Sequence, residues 1–150
     1  MEKNIDLVYL WVDGNDPEWL EKKQLFMDKK INTVGRYQDN QELKYSLRSV
    51  EKHLPWIRKI FIVTDNQVPP FLDINHPKIE IVNHSEIIPK EILPTYNSVI
   101  IEYFIYKIPD LSEHFLYAND DIFIRVNLAP SFFFQDGIPT VRMIHNPLFL

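Results

Sequence analysis

Short runs of β-branched and aromatic residues alternate along the chain with longer segments of helical periodicity. This alternation predicts a single α/β domain, 1–150, with a mostly parallel sheet flanked by helices. The run 7–12, Leu-Val-Tyr-Leu-Trp-Val, is apolar without alternation, which is typical of a strand buried on both faces. The predicted strands are Asp6–Val12, Lys59–Thr64, Lys78–Asn83, His114–Tyr117, Asp121–Val126 and Thr140–Ile144.

Three helices are predicted between these strands. Pro17 suits the first helical position after a start at Asp16, and the third helix is apolar on nearly every side, which predicts that it is well buried. In the second helix Leu43, Leu47, Val50 and Leu54 recur on one face. The predicted helices are Asp16 to about Lys30, about Asn40 to His53, and about Tyr96 to Lys107.

Composition narrows the class of protein. The chain has 150 residues and a formal net charge of −5, which fits one globular domain and argues against a nucleic-acid binder. Because there is no cysteine, disulfides, thiol catalysis and Cys-ligated zinc are excluded. No signal peptide is visible, and no apolar run reaches the roughly 18–20 residues of a membrane span. A cytoplasmic protein is therefore expected.

Acidic and amide side chains follow three of the predicted strands. Because ligands of open α/β sheets bind at the carboxyl ends of the strands, we expect these side chains at one edge. The alternative is that they are ordinary turn and cap residues, since Asp, Asn and Gly favour turns. The residues are Asp13, Asn15 and Asp16 after the first strand, Asp65 after the second, and Asn119, Asp120 and Asp121 after the fourth.

The pair Asp120 and Asp121 is the strongest candidate for a metal site. Gathered carboxylates repel one another unless a cation neutralises them, and Mg²⁺ or Mn²⁺ prefers such oxygen ligands. Two adjacent acids after an apolar strand also resemble the acidic metal motif of nucleotide-sugar transferases. We therefore expect Asp120 and Asp121 to hold a divalent ion.

A second cluster of polar residues surrounds the start of the second predicted helix. A helix N-terminus with arginines nearby suits a phosphate group, although a solvated charged face explains the same pattern. The candidate substrate-binding residues of this cluster are Arg36, Asp39, Asn40 and Arg48.

Further along the chain, the sequence His84-Ser85-Glu86 does not indicate a catalytic triad, because a triad is assembled in space and not by adjacency.

Several longer stretches together resemble the Stealth family. The stretch 5–17, which reads IDLVYLWVDGNDP, resembles its first conserved region, and the residues from about 36 to 134 resemble its second. Within the second, the similar stretches are RYxDNxELKYSLRSV from 36, PWI from 55, IVTD from 62, HSEI from 84, LPTYNS from 93 and LYANDD from 116. Residues 140–150 resemble the start of a third region, so the domain is expected to be incomplete at its C-terminus.

The resemblance implies a transferase with a nucleotide-sugar transferase (GT-A-like) fold. Such an enzyme moves a sugar 1-phosphate from a nucleotide sugar to a hydroxyl of a glycan or lipid-linked glycan, in capsule or cell-surface polysaccharide synthesis. Peripheral association with the inner face of the membrane would follow from a lipid-linked acceptor. Asp13, Asp120 and Asp121 are the expected catalytic residues, and Asn15, Asp16 and Asp65 are expected to contact the donor together with Arg36, Asp39, Asn40, Arg48 and Asn119.

Three alternatives remain open on the sequence. An ordinary glycosyltransferase would use the same donor but release a nucleoside diphosphate. A Mg²⁺-dependent phosphohydrolase with Asp13 as its nucleophile usually has a second Asp two residues later, where this chain has Asn15. A non-catalytic binding domain is the third alternative.

Overall fold

A four-stranded parallel sheet forms the centre of the molecule, as predicted. The computed structural model describes residues 4–26 and 40–141. The strands are β1 (Ile5–Leu10), β2 (Ile60–Thr64), β3 (Ile79–Asn83) and β4 (His114–Asn119), in the spatial order β3-β2-β1-β4. Because all four strands are parallel, their carboxyl ends lie at one edge of the sheet. The α/β architecture is confirmed.

Helices cover both faces of this sheet and connect its strands. The helices are α1 (Pro17–Phe26), α2 (Glu42–His53), α3 (His84–Ile87) and α4 (Ser98–Phe104), with 3₁₀ turns at Lys90–Ile92, Ile105–Lys107 and Pro130–Phe132. The predicted end of the first helix near Lys30 lies outside the described residues. None of the helices in residues 4–26 and 40–141 is long and apolar enough to cross a membrane.

The core has two layers, one on each face of the sheet. On one face the apolar stripe of α2 packs against Tyr9 and Ile62, and Leu43, Val50 and Leu54 are buried as predicted. Val8, Phe61 and Val63 point to the other face, where α3 and α4 pack. The burial of alternate residues on opposite faces explains why residues 7–10 of β1 and 60–63 of β2 are continuously apolar.

The predicted strand Asp121–Val126 does not form. Instead the segment runs beside α2, where Ser46 Oγ donates to the carbonyl oxygen of Ile122 and the backbone N–H of Ile124 donates to Ser49 Oγ at 2.9 Å. Side chains of a helix thus satisfy the backbone groups that a neighbouring strand would otherwise pair. Thr140 and Val141 are not in a strand either, and the rest of the predicted strand Thr140–Ile144 lies outside the described residues.

The predicted burial of the third helix is also wrong in part. Ile101 and Phe104 of α4 are buried against the sheet, but Val99, Tyr103 and Tyr106 on the other side are 67%, 68% and 64% exposed. The helix lies on the surface of the sheet and so buries only one side. Its last turn is 3₁₀.

A short hairpin follows that the strand pattern did not predict. Its strands are β5 (Phe134–Gln135) and β6 (Ile138–Pro139), joined by Asp136 and Gly137. Both turn residues have positive φ, 54° and 79°, which is the conformation that Asp-Gly favours in two-residue hairpins. The ring Nε2 of His114 lies 2.8 Å from the carbonyl oxygen of Gly137 and ties the hairpin to β4.

Candidate functional site

A cleft with a volume of about 430 Å³ lies across the carboxyl end of the sheet. The ends of β1, β3 and β4 contribute to it, together with α1, the start of α2 and the segment that leads into α4. This is the position where open α/β sheets bind their ligands. The lining residues are Leu10, Trp11, Val12, Trp19, Glu42, His84, Thr95, Tyr96, Ser98, Ile101, Asn119, Asp120 and Asp121.

One side of the cleft is acidic. Asp120 and Asp121 follow β4 directly, and Glu42 approaches from the first turn of α2. Hydrogen bonds from the side chain and the backbone of Asn40, at 2.8 and 2.7 Å, lower the pKa of Glu42 and keep it ionised. No Lys or Arg in the described part of the chain lines this cleft. The described part of the lining is therefore acidic on this side.

Two consecutive hydrogen bonds connect the loop that carries Asp120 and Asp121 to the core. The hydroxyl of Tyr9, on β1, and Ser46 Oγ, on α2, lie 2.7 Å apart in the core. Ser46 in turn donates to the backbone of Ile122, one residue after Asp121. Burial raises the pKa of Tyr9 to about 12, and the nearby charge of Asp120 contributes in the same direction. The acidic residues thus sit on a positioned loop.

The cleft lining also includes aromatic side chains. Trp19 of α1 and Tyr96 meet edge to face with ring centroids 5.5 Å apart, and Trp19 is only 5% exposed. Trp11 and His84 are each 4% exposed. Burial lowers the pKa of His84, an effect that the charge of Asp65 partly offsets, so its imidazole is neutral at pH 7.

Asp13 and Asp16 lie beside the cleft but do not line it. Gln67 clamps their loop, since its side chain accepts from the backbone N–H of Asp13 at 2.9 Å and donates to Asp16 Oδ2 at 3.1 Å. The other oxygen of Asp16 caps α1 by accepting from the N–H groups of Glu18 and Trp19. Both carboxylate oxygens of Asp16 are therefore used within the protein, in agreement with the interpretation of Asp16 as a helix-cap residue.

The carboxylate of Asp13 has a similar local role. Its Oδ1 accepts from the backbone N–H of Asn15 at 2.8 Å, which forms a tight turn, and Asn15 is exposed. Asp65 is ion-paired with Lys22 of α1 at 2.5 Å, with its side chain only 8% exposed. None of these three lines the cleft.

The structure separates the remaining candidates. Asn119 lines the cleft, and Asn40 acts through Glu42. Arg48 is exposed above the ring of Tyr45, 5.7 Å from its centroid, and borders a different groove between α2 and the segment after β2. Arg36 and Asp39 lie outside the described residues. The cleft therefore brings together Asn119, Asp120 and Asp121, but not Asp13 or Arg48.

The chemistry of the acidic side fits a loosely held divalent ion. Within residues 4–26 and 40–141 no group of three or more His, Asp or Glu side chains is arranged as a metal site. Mg²⁺ in phosphate-binding proteins commonly takes one or two carboxylates, with waters and substrate phosphates as its other ligands. Asp120 and Asp121 supply the two carboxylates that such an arrangement needs.

Comparison with known proteins decides the family. The profile of Stealth protein conserved region 1 matches residues 3–31, and that of conserved region 2 matches residues 36–141. The chain belongs to the Stealth family. The second region contributes Glu42, His84, Tyr96 and the loop with Asp120 and Asp121, and the first contributes Trp11 and Trp19.

Curated relatives within the Stealth family carry similar names. The chain is 44% identical to a capsular polysaccharide phosphotransferase of Actinobacillus pleuropneumoniae, over 98% of this chain and 43% of that protein. It is 48% identical to one of Haemophilus influenzae, over 91% and 40%. An exopolysaccharide phosphotransferase of Lactiplantibacillus plantarum is 42% identical over 97% and 44%. The chain spans less than half the length of these relatives.

Most of the lining residues, Trp19 among them, were not among the candidates from the sequence. Trp11 belongs to the apolar run of β1, Tyr96 precedes α4, Glu42 begins α2 and His84 begins α3. His84 follows the end of β3 directly, as Asp120 follows β4. The rule that ligands bind after strands would have found His84, had it been applied to the predicted strand Lys78–Asn83 as well.

Proposed function

We propose that the protein containing this chain transfers a sugar 1-phosphate from a nucleotide sugar to a hydroxyl of a glycan, in the synthesis of capsular or exopolysaccharide. The names of the Stealth relatives support the reaction class. The observation that carries the proposal is the cleft itself, because it joins an acidic wall to an aromatic wall at the ligand-binding edge of the sheet.

The two walls match the two parts of a nucleotide diphosphate sugar. A flat base favours aromatic and apolar neighbours, whereas a diphosphate requires positive charge. Glu42, Asp120 and Asp121 line the cleft, and carboxylates repel the like charge of a diphosphate. We propose that Asp120 and Asp121 hold Mg²⁺ or Mn²⁺, which would neutralise the phosphate oxygens of the bound donor.

The proposed reaction displaces a nucleoside monophosphate. The acceptor hydroxyl oxygen attacks the phosphorus that carries the sugar, a new P–O bond forms, the bond to the nucleoside monophosphate breaks, and the hydroxyl proton is released. Charge builds on the phosphoryl oxygens, so orientation and electrostatics provide most of the acceleration. The hydrogen bonds from Tyr9 to Ser46 and from Ser46 to the backbone of Ile122 would hold the loop with Asp120 and Asp121 in position.

The acceptor and location are proposed from the same reaction class. A glycan, or a glycan linked to a lipid, would provide the hydroxyl, and the enzyme would work in the cytoplasm or at the inner face of the membrane. Asp13 as a phosphohydrolase nucleophile is disfavoured, because its carboxylate closes a local turn with Asn15 and does not line the cleft.

The leaving group tests the proposed function. The full-length protein is incubated with a panel of nucleotide sugars, Mg²⁺ and a polysaccharide acceptor, and the released nucleotide is identified. Release of UMP or CMP with formation of a sugar phosphodiester is the expected result. Release of UDP or CDP would instead indicate glycosyl transfer at the anomeric carbon, and a covalent aspartyl-phosphate at Asp13 would indicate a phosphohydrolase.

A further inference from the structure

His84 is a buried polar side chain for which the described part of the chain provides no hydrogen-bond partner. It is 4% exposed, lines the cleft, and forms no side-chain hydrogen bond with any residue in 4–26 or 40–141. Buried polar groups are nearly always hydrogen-bonded, and exceptions commonly mark functional positions. The ring therefore has capacity for a ligand in the cleft.

The other buried histidine of the described chain is a useful contrast. His114 is 7% exposed, but its Nε2 pairs with the carbonyl oxygen of Gly137 at 2.8 Å and its ring contacts Phe134. It is a satisfied structural residue. The same residue type, buried to the same degree, is thus partnered at the hairpin and unpartnered at the cleft.

The surroundings of His84 favour a flat heterocycle. Trp11, Trp19 and Tyr96 line the same cleft, and Trp19 and Tyr96 already form an edge-to-face pair. The indole Nε1 of Trp11 is a second buried polar atom without a hydrogen-bond partner in the described chain. Aromatic walls with a few unsatisfied polar atoms are typical of sites that bind planar, edge-polar molecules such as nucleobases.

We propose that Trp19, His84 and Tyr96 bind the base of the donor nucleotide and that the His84 ring hydrogen-bonds to the edge of that base. The inference rests on the proposed function, because it assumes a nucleotide-sugar donor whose base and phosphates contact different residues of one cleft. A neutral imidazole has one N–H donor and one nitrogen acceptor, and a nucleobase edge offers a matching acceptor and donor. The low pKa of His84 agrees with this neutral form.

The test compares ligands with and without a base. Binding of UMP, CMP, GMP, AMP and ribose 5-phosphate to the full-length protein is measured by calorimetry with Mg²⁺ present, for the parent and for His84→Phe. Phe keeps a buried ring but removes both hydrogen-bonding atoms. We expect the tightest nucleoside monophosphate to bind at least ~10-fold more weakly to His84→Phe, because a hydrogen bond within the cleft is lost. The affinity for ribose 5-phosphate stays unchanged.

Two further variants separate binding from folding. His84→Gln restores one donor and one acceptor and is expected to recover part of the nucleotide affinity. His114→Phe removes a partnered buried histidine, so it lowers the melting temperature but leaves nucleotide affinity unchanged. His84→Phe breaks no protein hydrogen bond, so its melting temperature without ligand stays near that of the parent.

The outcomes distinguish this inference from the proposed function. If the parent binds a nucleotide and His84→Phe binds it equally well, or loses ribose 5-phosphate in the same proportion, the base does not contact His84 and the inference is wrong. If the parent binds none of the four nucleotides, the proposed function is overturned and the inference with it.

Discussion

The two ends of the parallel sheet use the same kind of side chain for opposite purposes. At the amino end, Asp6 is fully buried at the start of β1 and accepts four hydrogen bonds, two from the Arg58 guanidinium at 2.9 and 2.7 Å and two from backbone N–H groups of Lys59 and Ser112. At the carboxyl end, Asp120 and Asp121 lie at the wall of a cleft lined by no described cation.

The amino-end charges form a closed network. Arg58 and Lys59 both reach Asp110, at 3.1 and 2.9 Å, and Lys59 also pairs with Glu80 at 2.8 Å. Burial alone would raise the pKa of Asp6, but the hydrogen bonds from Arg58 and Ser112 outweigh it and lower the pKa. Compensated charge at the amino end holds the strands together, whereas Asp120 and Asp121 at the carboxyl end line a cleft.

Removing the buried carboxylate at the amino end is expected to have the largest effect. Asp6→Asn leaves the Arg58 guanidinium without its bidentate partner and should lower the free energy of unfolding by about 3–5 kcal/mol. Urea denaturation followed by circular dichroism measures the change. The matched control is Asp110→Asn, an exposed partner of the same arginine, which should cost only a small part of that loss. Equal losses for the two variants would contradict the contrast between buried and exposed pairing.

Removing a carboxylate at the other end should damage activity and spare stability. Asp121→Asn in the full-length protein is expected to reduce turnover by at least ~10²-fold, because the charge that would hold the metal ion is lost. Its melting temperature should stay near that of the parent, because the Asp121 side chain has no hydrogen bond or ion pair with the described residues. Asp136→Asn, at the hairpin turn, removes the same charge at a position where Asn tolerates positive φ, and should keep full turnover. Undiminished turnover in Asp121→Asn would exclude Asp121 from the site.

The two ends also predict separate pH windows for stability. A carboxylate with a lowered pKa stabilises the fold above its unfolded value of about 3.9, and the contribution is lost as the pH falls through the folded value. The stability difference between the parent and Asp6→Asn should therefore be constant from pH 7 to 5 and shrink below about pH 4. A difference that stayed constant down to pH 3 would show that the pKa of Asp6 is not what couples it to folding.

His84 should act in the higher window. Because burial lowers its pKa, the unfolded chain takes up a proton first as the pH falls below about 6.5, and the folded state loses stability there. His84→Phe should remove this decline between about pH 6.5 and 5. An identical pH profile in parent and variant would mean that the folded and unfolded states titrate alike at this residue.

The smallest effect is expected at Arg48. The sequence predicts a phosphate contact, but the structure places this side chain on the exposed surface of α2, beside Tyr45 and away from the cleft. Arg48→Gln should change nucleotide affinity by no more than about twofold, the range of ordinary surface substitutions. A tenfold loss would mean that the donor extends beyond the cleft to the outer face of α2.

Periodicity was sufficient to predict the sheet and α2, because the continuous apolar run of β1 and the Leu43–Leu54 stripe report burial directly. It failed at Ile122–Ile124, which is apolar enough for a strand but has its backbone bound by Ser46 and Ser49. Such a partner is set by tertiary packing and leaves no period in the sequence. Asp136-Gly137 was a readable hairpin signal that the strand search passed over.

Acidic residues after strands predicted correctly where the candidate site lies, but they did not predict which of these residues line it. Asp120 and Asp121 line the cleft, whereas Asp16 caps α1 and Asp65 pairs with Lys22. The sequence cannot separate these outcomes, because a cap, an ion pair and a ligand contact all favour the same residue types. The aromatic wall was missed because Trp11 and Tyr96 read as core residues.

Calorimetry with UDP-sugars, in the presence and absence of Mg²⁺, tests most directly whether the open acidic end binds a cation together with a diphosphate. The parent chain is compared with the double variant Asp120→Asn, Asp121→Asn. We expect Mg²⁺ to raise the affinity of the parent at least ~10-fold and to leave the affinity of the double variant unchanged. The same Mg²⁺-dependent gain in both proteins, or no gain in the parent, would contradict a metal-assisted donor site at these two residues.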